Sequence, residues 1–270
     1  GHGEVPGHDD PDDAQRLVEG DVDAAGNRTV ADEVIKEMNA HGVSVIEIRR
    51  GLLPAAKFAL QRNSSFNRRI TTFTPMTLSG PAAGDAQLRT QYSPDGLATR
   101  GTVNNCANGY TPWGTYLTCE ENFNNNFGTT VDTATDGRSV SMKRYGITAG
   151  TSGYAWETQL DRFDYKKEAN ESNRHGWIVE IDPFDASSKP KKRTALGRFK
   201  HENAAYAFTK DKRVVVYMGD DQVNDYIYKF VSTGTYVEGN QRANANLLDS
   251  GKLYVAKFGS GATTGDFMGT

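Results

Sequence analysis

Hydrophobic and polar residues alternate along much of this chain, which is the period of a β-strand. The first such run covers residues 43–48. Further runs lie at residues 57–60, 70–78, 113–118, 176–181, 194–199, 204–208, 213–217, 226–231 and 253–258. Glycine or acidic turns separate many of them, so the pattern predicts a protein built from short antiparallel strands.

One segment follows the helical period instead. Val30, Val34 and Met38 recur along one helical face, Thr29 precedes them as a potential N-cap, and Gly42 follows them. This spacing predicts one short amphipathic helix at about residues 30–41.

The spacing of strands and turns favours an all-β β-propeller, in which each blade is a small antiparallel meander. At roughly four strands per blade, the chain supplies fewer than three blades, so we expect another chain or segment to complete the ring. Residues 1–28 are rich in Gly, Asp and Pro and are predicted to be flexible. Residues 29–270 are predicted to form the partial or whole propeller domain.

Composition narrows the class of protein. The chain has 270 residues with 28 Gly and 12 Tyr, which suits many strands joined by turns. No run approaches the roughly 20 apolar residues of a membrane-spanning helix, so we expect no membrane insertion. The net charge of −3 provides no general attraction to nucleic acid. The one basic cluster, residues 189–193, is interpreted as a solvated strand entry.

The residues that carry candidate chemistry begin with Cys119, Glu120 and Glu121, at the end of a predicted strand. Carboxylates bind hard cations, and a thiolate binds iron or other transition metals, so this triplet is a candidate metal site. Two alternatives remain open on the residues alone: a disulfide between Cys119 and Cys106, and an ordinary solvated strand end.

Further acidic residues lie in or next to other predicted strands. They are Glu180, Asp182, Glu202, Asp220 and Asp221. Strand ends and their loops gather at one mouth of a propeller, where such carboxylates would repel one another unless a cation lay between them. The alternative for each acid is a turn or a strand cap.

Two basic residues, Arg198 and Lys200, precede Glu202. They are candidates to bind an anion, because a guanidinium matches phosphate oxygens and an ammonium adds a point charge. A salt-bridged strand end explains them equally well.

Several blocks of sequence carry a family resemblance. They are, in order, TPWGTYLTCEEN, HGWIVEIDP, ALGRFKHENAAY, VVVYMGDD with YIYKF, and LYVAKF. They resemble successive blocks of the PhoX-type alkaline phosphatases, and TVADEVIKEMNAHGVSVIEI is similar to a further block. The resemblance covers about residues 29–258.

This resemblance implies a six-bladed propeller that hydrolyses phosphomonoesters with calcium and iron. It also implies export to the periplasm or beyond by the twin-arginine route. Cys119 would then be an iron ligand rather than half of a disulfide, and Glu202 would be a metal ligand. Arg198 or Lys200 would hold the substrate phosphate.

The chain also departs from the family, whose members are usually longer at both ends. It is therefore expected to be a fragment or a degenerate member. Two other functions compete with the phosphatase interpretation: a calcium-stabilised propeller that serves as a binding scaffold, and a calcium-dependent propeller lactonase. Iron bound by the protein would favour the phosphatase.

Overall fold

The structure is a computed structural model that describes residues 30–51, 57–257 and 266–269. The segment predicted to be flexible, residues 1–28, lies outside this part of the chain. Helix α1 spans Ala31–Ala40, as its apolar spacing predicts, and buries Val34 and Met38. Its N-cap is Val30, which has no side-chain oxygen, so the helix begins without the predicted threonine cap.

Fifteen strands are present in the described residues. They are β1 (Val43–Val45), β2 (Ile48–Arg50), β3 (Phe58–Leu60), β4 (Arg68–Ile70), β5 (Pro75–Ser79), β6 (Ala98–Arg100), β7 (Asn105–Tyr110), β8 (Tyr116–Glu120), β9 (Ile178–Ile181), β10 (Lys191–Arg193), β11 (Ala205–Phe208), β12 (Arg213–Gly219), β13 (Ile227–Thr235), β14 (Gly251–Lys257) and β15 (Asp266–Gly269). They form two large sheets and two small ribbons, β1–β4 and β2–β3.

The first large sheet has six strands in the order β6-β5-β10-β9-β8-β7. Its pairs are antiparallel except for β5 and β10, which run parallel. The second sheet is a five-stranded antiparallel meander, β11 to β15 in chain order. Consecutive strands pair in such a meander, as in a propeller blade.

The main hydrophobic core combines residues of both sheets. Leu117 and Ile178 of the first sheet belong to the same buried cluster as Val214, Val216 and Phe230 of the second. A second core cluster lies beneath helix α1. Its members include Val34, Met38, Phe123, Phe127, Met142, Trp156, Phe163 and Tyr165.

The structure corrects several predicted elements. The predicted strand at 194–199 is instead a 3-10 turn, Thr194–Leu196, which ends at Gly197 with a φ of +87°. The run at 70–78 is divided between β4 and β5, because the hydroxyl of Thr74 accepts a hydrogen bond from the Thr71 N–H and closes a turn. Two short helices were not predicted: α2, Val140–Arg144, and α3, Gln241–Asn244.

The fold is therefore mainly β, with three short α-helices rather than one in the described residues. Both large sheets are open across this part of the chain. Of the helices that the structure describes, none combines the length and the apolar character that crossing a bilayer requires.

Candidate metal centre

A short connection, residues 200–202, joins the two sheets. The His201 N–H donates to the carbonyl oxygen of Glu120 in the first sheet at 3.0 Å. The Lys200 carbonyl accepts from the Asp221 N–H at 3.0 Å at the end of β12 in the second sheet. The connection therefore brings the residues after β8, before β11 and after β12 to one place.

A glycine allows strand β7 to approach this connection. A Cβ atom added at Gly109 would lie 1.8 Å from the carbonyl oxygen of Ala204, so no other residue fits there without displacing the backbone. The pairing of β7 with β8 is irregular between Asn105 and Asn108, and Cys106 lies in that interval. The same strand that packs against the connection thus carries a cysteine next to it.

These strand ends bring one thiol and two carboxylates together. The sulfur of Cys106 and carboxylate oxygens of Glu121 and Glu202 all lie within 4.8 Å of one another. Cys106 and Glu202 are exposed, whereas Glu121 is buried. Asp221 lies close enough to Glu121 to raise the pKa of its carboxyl group, and it is a fourth potential ligand.

The proton affinities of this cluster reflect burial and mutual repulsion. Burial raises the pKa of Glu121, and the carboxylates of Asp221 and Glu202 raise it further. Burial also raises the pKa of the Cys106 thiol, with smaller increases from Glu121 and Glu202. A bound cation would reverse these effects, because it stabilises the deprotonated form of every group that faces it.

The donor set fits a transition metal. Neighbouring ligands of a tetrahedral ion at about 2.0–2.3 Å from it lie about 3.3–3.8 Å apart, so the three side chains need only modest adjustments to bind one ion. A thiolate with carboxylates suits iron better than calcium, which prefers oxygen ligands alone. Cys106, Glu121, Glu202 and Asp221 therefore form the candidate metal centre.

Asp220 lies beside this centre and helps to hold the connection. Its carboxylate accepts a hydrogen bond from the Lys200 N–H at 3.3 Å. Burial raises the pKa of Asp220 to about 6, and the nearby carboxylate of Asp225 adds to the increase. Asp220 was predicted as a ligand, but its described contact is with the backbone that positions Lys200.

The placement of Cys119 differs from the prediction. Its side chain is fully buried in the core cluster with Leu117 and Ile178, and it forms no disulfide with Cys106. Burial raises the pKa of its thiol to about 12, which disfavours the thiolate that binds metal. Leu117 and Cys119 are two residues apart on β8 and face the same core, so the cysteine that lies beside the carboxylates is Cys106.

Glu120 is also not part of the centre, because it belongs to a buried ion pair. It is fully buried, and its carboxylate accepts hydrogen bonds from the Lys192 ammonium at 2.7 Å and from the Gly176 and Trp177 N–H groups at 2.9 and 3.1 Å. Burial is the largest single influence and opposes ionisation of Glu120, but the charge of Lys192 and the hydrogen bonds of His175 and Lys192 together lower the pKa to about 2. Lys192 belongs to the basic cluster that the sequence predicts to be solvated, but it is buried. Its partner, Glu120, was predicted to bind a metal.

Glu180 has a similar structural role. Its carboxylate accepts from the Arg193 guanidinium at 2.6 Å, from the Trp113 indole N–H at 3.0 Å and from the Thr115 hydroxyl at 2.5 Å. Arg193 comes from the basic cluster predicted to be solvated, and it is 1% exposed. Glu180 lies near the start of β8, opposite the end that carries Glu121, so it is not a ligand of this centre.

Arg198 is occupied by the fold rather than free to bind an anion. Its guanidinium donates to the backbone carbonyls of His175 and Ser172, both at 2.8 Å, and packs over the rings of Phe123 and Tyr145. Lys200 is half-buried, and its side chain makes no hydrogen bond or ion pair with any residue in the described ranges. Of the two predicted anion-binding residues, Lys200 is the available one.

Comparison with known proteins identifies the family. Residues 10–268 match the family described as Alkaline phosphatase PhoX. The chain belongs to the PhoX family. A solved PhoX structure from Pseudomonas fluorescens, in complex with vanadate as a transition state analogue, is 47% identical with a TM-score of 0.83. The match covers 89% of this chain and 42% of that chain, and a search of curated proteins gives no significant match.

Of the ligands that the sequence of this PhoX family member predicts, the fold brings Glu121, Glu202 and Asp221 together. Cys106, which is not among the predicted ligands, lies with them, whereas Cys119 lies in the core. The period of β8 could have revealed the difference, because Cys119 is in register with the apolar Leu117.

Proposed function

We propose that the protein of which this chain is part hydrolyses phosphomonoesters at a metal centre held by Cys106, Glu121, Glu202 and Asp221. The observation that carries the proposal is the convergence of one thiol and two carboxylates within 4.8 Å in a member of the PhoX family. The vanadate complex of the Pseudomonas fluorescens relative supports a phosphoryl-transfer reaction.

The protein side chains have two tasks in this proposal. The Cys106 thiolate and the carboxylates of Glu121, Glu202 and Asp221 would hold the metal. A bound metal neutralises charge on the phosphate oxygens and acts as a Lewis acid. The Lys200 ammonium binds a non-bridging phosphate oxygen and stabilises the charge that builds up there in the transition state.

The thiol supports iron as one metal of this centre, because sulfur ligands favour transition metals over calcium. The carboxylates can in addition bind calcium, which the family resemblance implies. Asp220 lies near the centre and positions the Lys200 backbone rather than binding the metal directly.

The same family resemblance supports two further parts of the proposal. The meander β11–β15 is one blade of a six-bladed propeller, and the rest of the ring comes from further chain, since this chain spans 42% of the solved relative.

The second part is the location: the protein acts in the periplasm or outside the cell. Fractionation of cells that produce the natural protein tests the location, and finding it in the cytoplasm would contradict this part.

Hydrolysis of p-nitrophenyl phosphate tests the activity. We expect the purified protein to release p-nitrophenol, to lose this activity on chelation, and to regain it when iron and calcium are restored. Glu202→Gln should abolish the activity, whereas Lys210→Gln on the surface should not. Hydrolysis that persists after complete removal of iron would contradict the proposal, and calcium binding without turnover would instead favour the scaffold.

A further inference from the structure

A cavity lies at the other end of strand β8 from the candidate metal centre. It has a volume of about 390 Å³ and is bordered by Trp113 and Thr115, just before β8, whereas Glu121 of the metal centre directly follows that strand. Glu121 is six residue steps of nearly extended chain beyond Thr115, so the cavity is about 20 Å from the metal centre. Its volume is in the range that accepts small organic molecules.

The walls of this cavity are held in place by hydrogen bonds. The Gln241 side chain of helix α3 donates to the Asp182 carboxylate in the turn after β9 at 2.7 Å. The indole N–H of Trp113 donates to Glu180 at 3.0 Å, which fixes the plane of its ring. The cavity is therefore pre-formed, with an aromatic side chain as part of its lining.

The carboxylates of the cavity already have partners. Glu180 accepts hydrogen bonds from Arg193, Trp113 and Thr115. Asp182 accepts at one oxygen from Gln241 and at the other from a backbone N–H. Neither acid is left to bind a cationic ligand.

Three of the basic side chains of the cavity, unlike its carboxylates, have no such partners in the described part of the chain. Lys189, Lys191 and Arg242 line it, and their side chains form no hydrogen bond or ion pair with the residues that the structure describes. The lining thus has four basic side chains, including Arg193, against two acidic ones. Unpaired ammonium and guanidinium groups around a concave surface attract an anion.

From these contacts we infer that the cavity binds a small organic anion. Lys191 and Arg242 hold its carboxylate or phosphate group, and its flat apolar part packs against Trp113. The inference rests on the cavity alone and does not depend on the phosphatase activity proposed for the metal centre.

Titration of the full chain with phenylphosphonate and with benzoate tests this inference. Both probes carry an anionic group on a flat ring, and neither is a phosphate ester that could be hydrolysed. We expect the fluorescence of the wild-type protein to change on binding and this change to be lost in Trp113→Phe. The double variant Lys191→Gln/Arg242→Gln should weaken binding about tenfold or more, because it removes two charge-assisted hydrogen bonds.

A matched control separates the cavity from general electrostatics. Arg62→Gln/Lys210→Gln removes the same two charges from exposed positions outside the cavity and should bind like the wild type. A response to phenylphosphonate alone assigns phosphate esters as the ligand class, and a response to benzoate alone assigns carboxylates. Equal affinity in all the variants, or no binding of either probe, would overturn the inference. Arg242→Gln alone provides a second test and should also weaken binding of the probes. Because Arg242 is exposed, its loss leaves the core unchanged.

Discussion

Cys106 and Cys119 show how the environment of a residue decides its function. Cys106 is exposed beside two carboxylates, whereas Cys119 is buried among apolar side chains. Both thiols have a raised pKa, but only Cys106 has carboxylates beside it that could bind the same metal ion. The two residues should therefore respond differently to the same substitution.

Cys106→Ala should remove the bound iron and the hydrolytic activity while the fold remains. Cys119→Ala should keep the iron but lower the free energy of unfolding by about 1–2 kcal/mol, because it leaves a small cavity in the core. Elemental analysis and urea denaturation of both variants measure these effects. Loss of iron in Cys119→Ala at unchanged stability would restore Cys119 as the ligand.

Glu120 and Glu121 are adjacent but should behave in opposite ways. Glu120→Gln leaves the fully buried Lys192 ammonium without its counter-charge, which should lower the free energy of unfolding by about 3–5 kcal/mol. Glu121→Gln removes one of several repelling carboxylates, so it should preserve the stability of the metal-free protein while lowering metal content.

Denaturation of both variants after chelation, together with metal analysis, measures this contrast. Asp32→Asn in the first turn of α1 serves as a control for the loss of one negative charge. A Glu120→Gln variant as stable as the wild type would show that the pair with Lys192 contributes nothing to the fold.

The sequence alone could predict which stretches of chain meet at the candidate metal centre, but not which of their acidic residues point into it. Glu121 and Asp221 follow strands and Glu202 lies just before one, so their convergence could be expected from the fold class. The exclusion of Glu120 could not, because its partner Lys192 is 72 residues away in the chain and looked like part of a solvated basic cluster. Only the pairing of β9 with β8 and β10 brings the two together.

At the scale of elements, the approach of β7 to the connection between the sheets positions the metal centre. Gly109→Ala places a Cβ atom 1.8 Å from the Ala204 carbonyl oxygen, a backbone atom that cannot move aside alone. We expect a loss of about 1–3 kcal/mol in the free energy of unfolding and a weaker affinity for metal, since Cys106 is on the same strand.

Thermal unfolding and metal titration measure this effect of Gly109→Ala. Gly153→Ala is the matched control, because a Cβ atom there meets nothing within 4 Å. Unchanged metal affinity in a destabilised Gly109→Ala protein would mean that the approach of β7 stabilises the fold without placing the ligands.

The helices and strands were predictable from the sequence where one hydrophobic period, that of a helix or that of a strand, dominates the segment. Helix α1 and the strands β11 to β13 follow from their own residues. The 3-10 turn at Thr194–Leu196 does not, because its apolar residues face the core without forming a ladder. The parallel pairing of β5 with β10 joins segments more than a hundred residues apart, which no local pattern encodes.

At the scale of the whole molecule, His41 links helix α1 to the segment that leads into β7. It is the C-cap of α1, and its Nδ1 atom accepts a hydrogen bond from the Asn104 N–H at 3.1 Å. Its ring also contacts the edge of Trp156 in the second core cluster. Protonation of this histidine would therefore disturb the contact between a helix and a sheet.

Burial lowers the pKa of His41 to about 4 from an unfolded value near 6.5. Between these two pH values the unfolded chain binds a proton at this residue that the folded chain does not, so His41 makes the protein less stable as the pH falls from 6.5 toward 4. The slope from one such group is at most about 1.4 kcal/mol per pH unit.

His41→Asn keeps an acceptor near the Nδ1 position but has no titrating ring. Urea denaturation at several pH values should therefore show a shallower loss of stability in His41→Asn than in the wild type between pH 6.5 and 4, with parallel curves above pH 7. Parallel curves over the whole range would show that His41 titrates equally in the folded and unfolded chains.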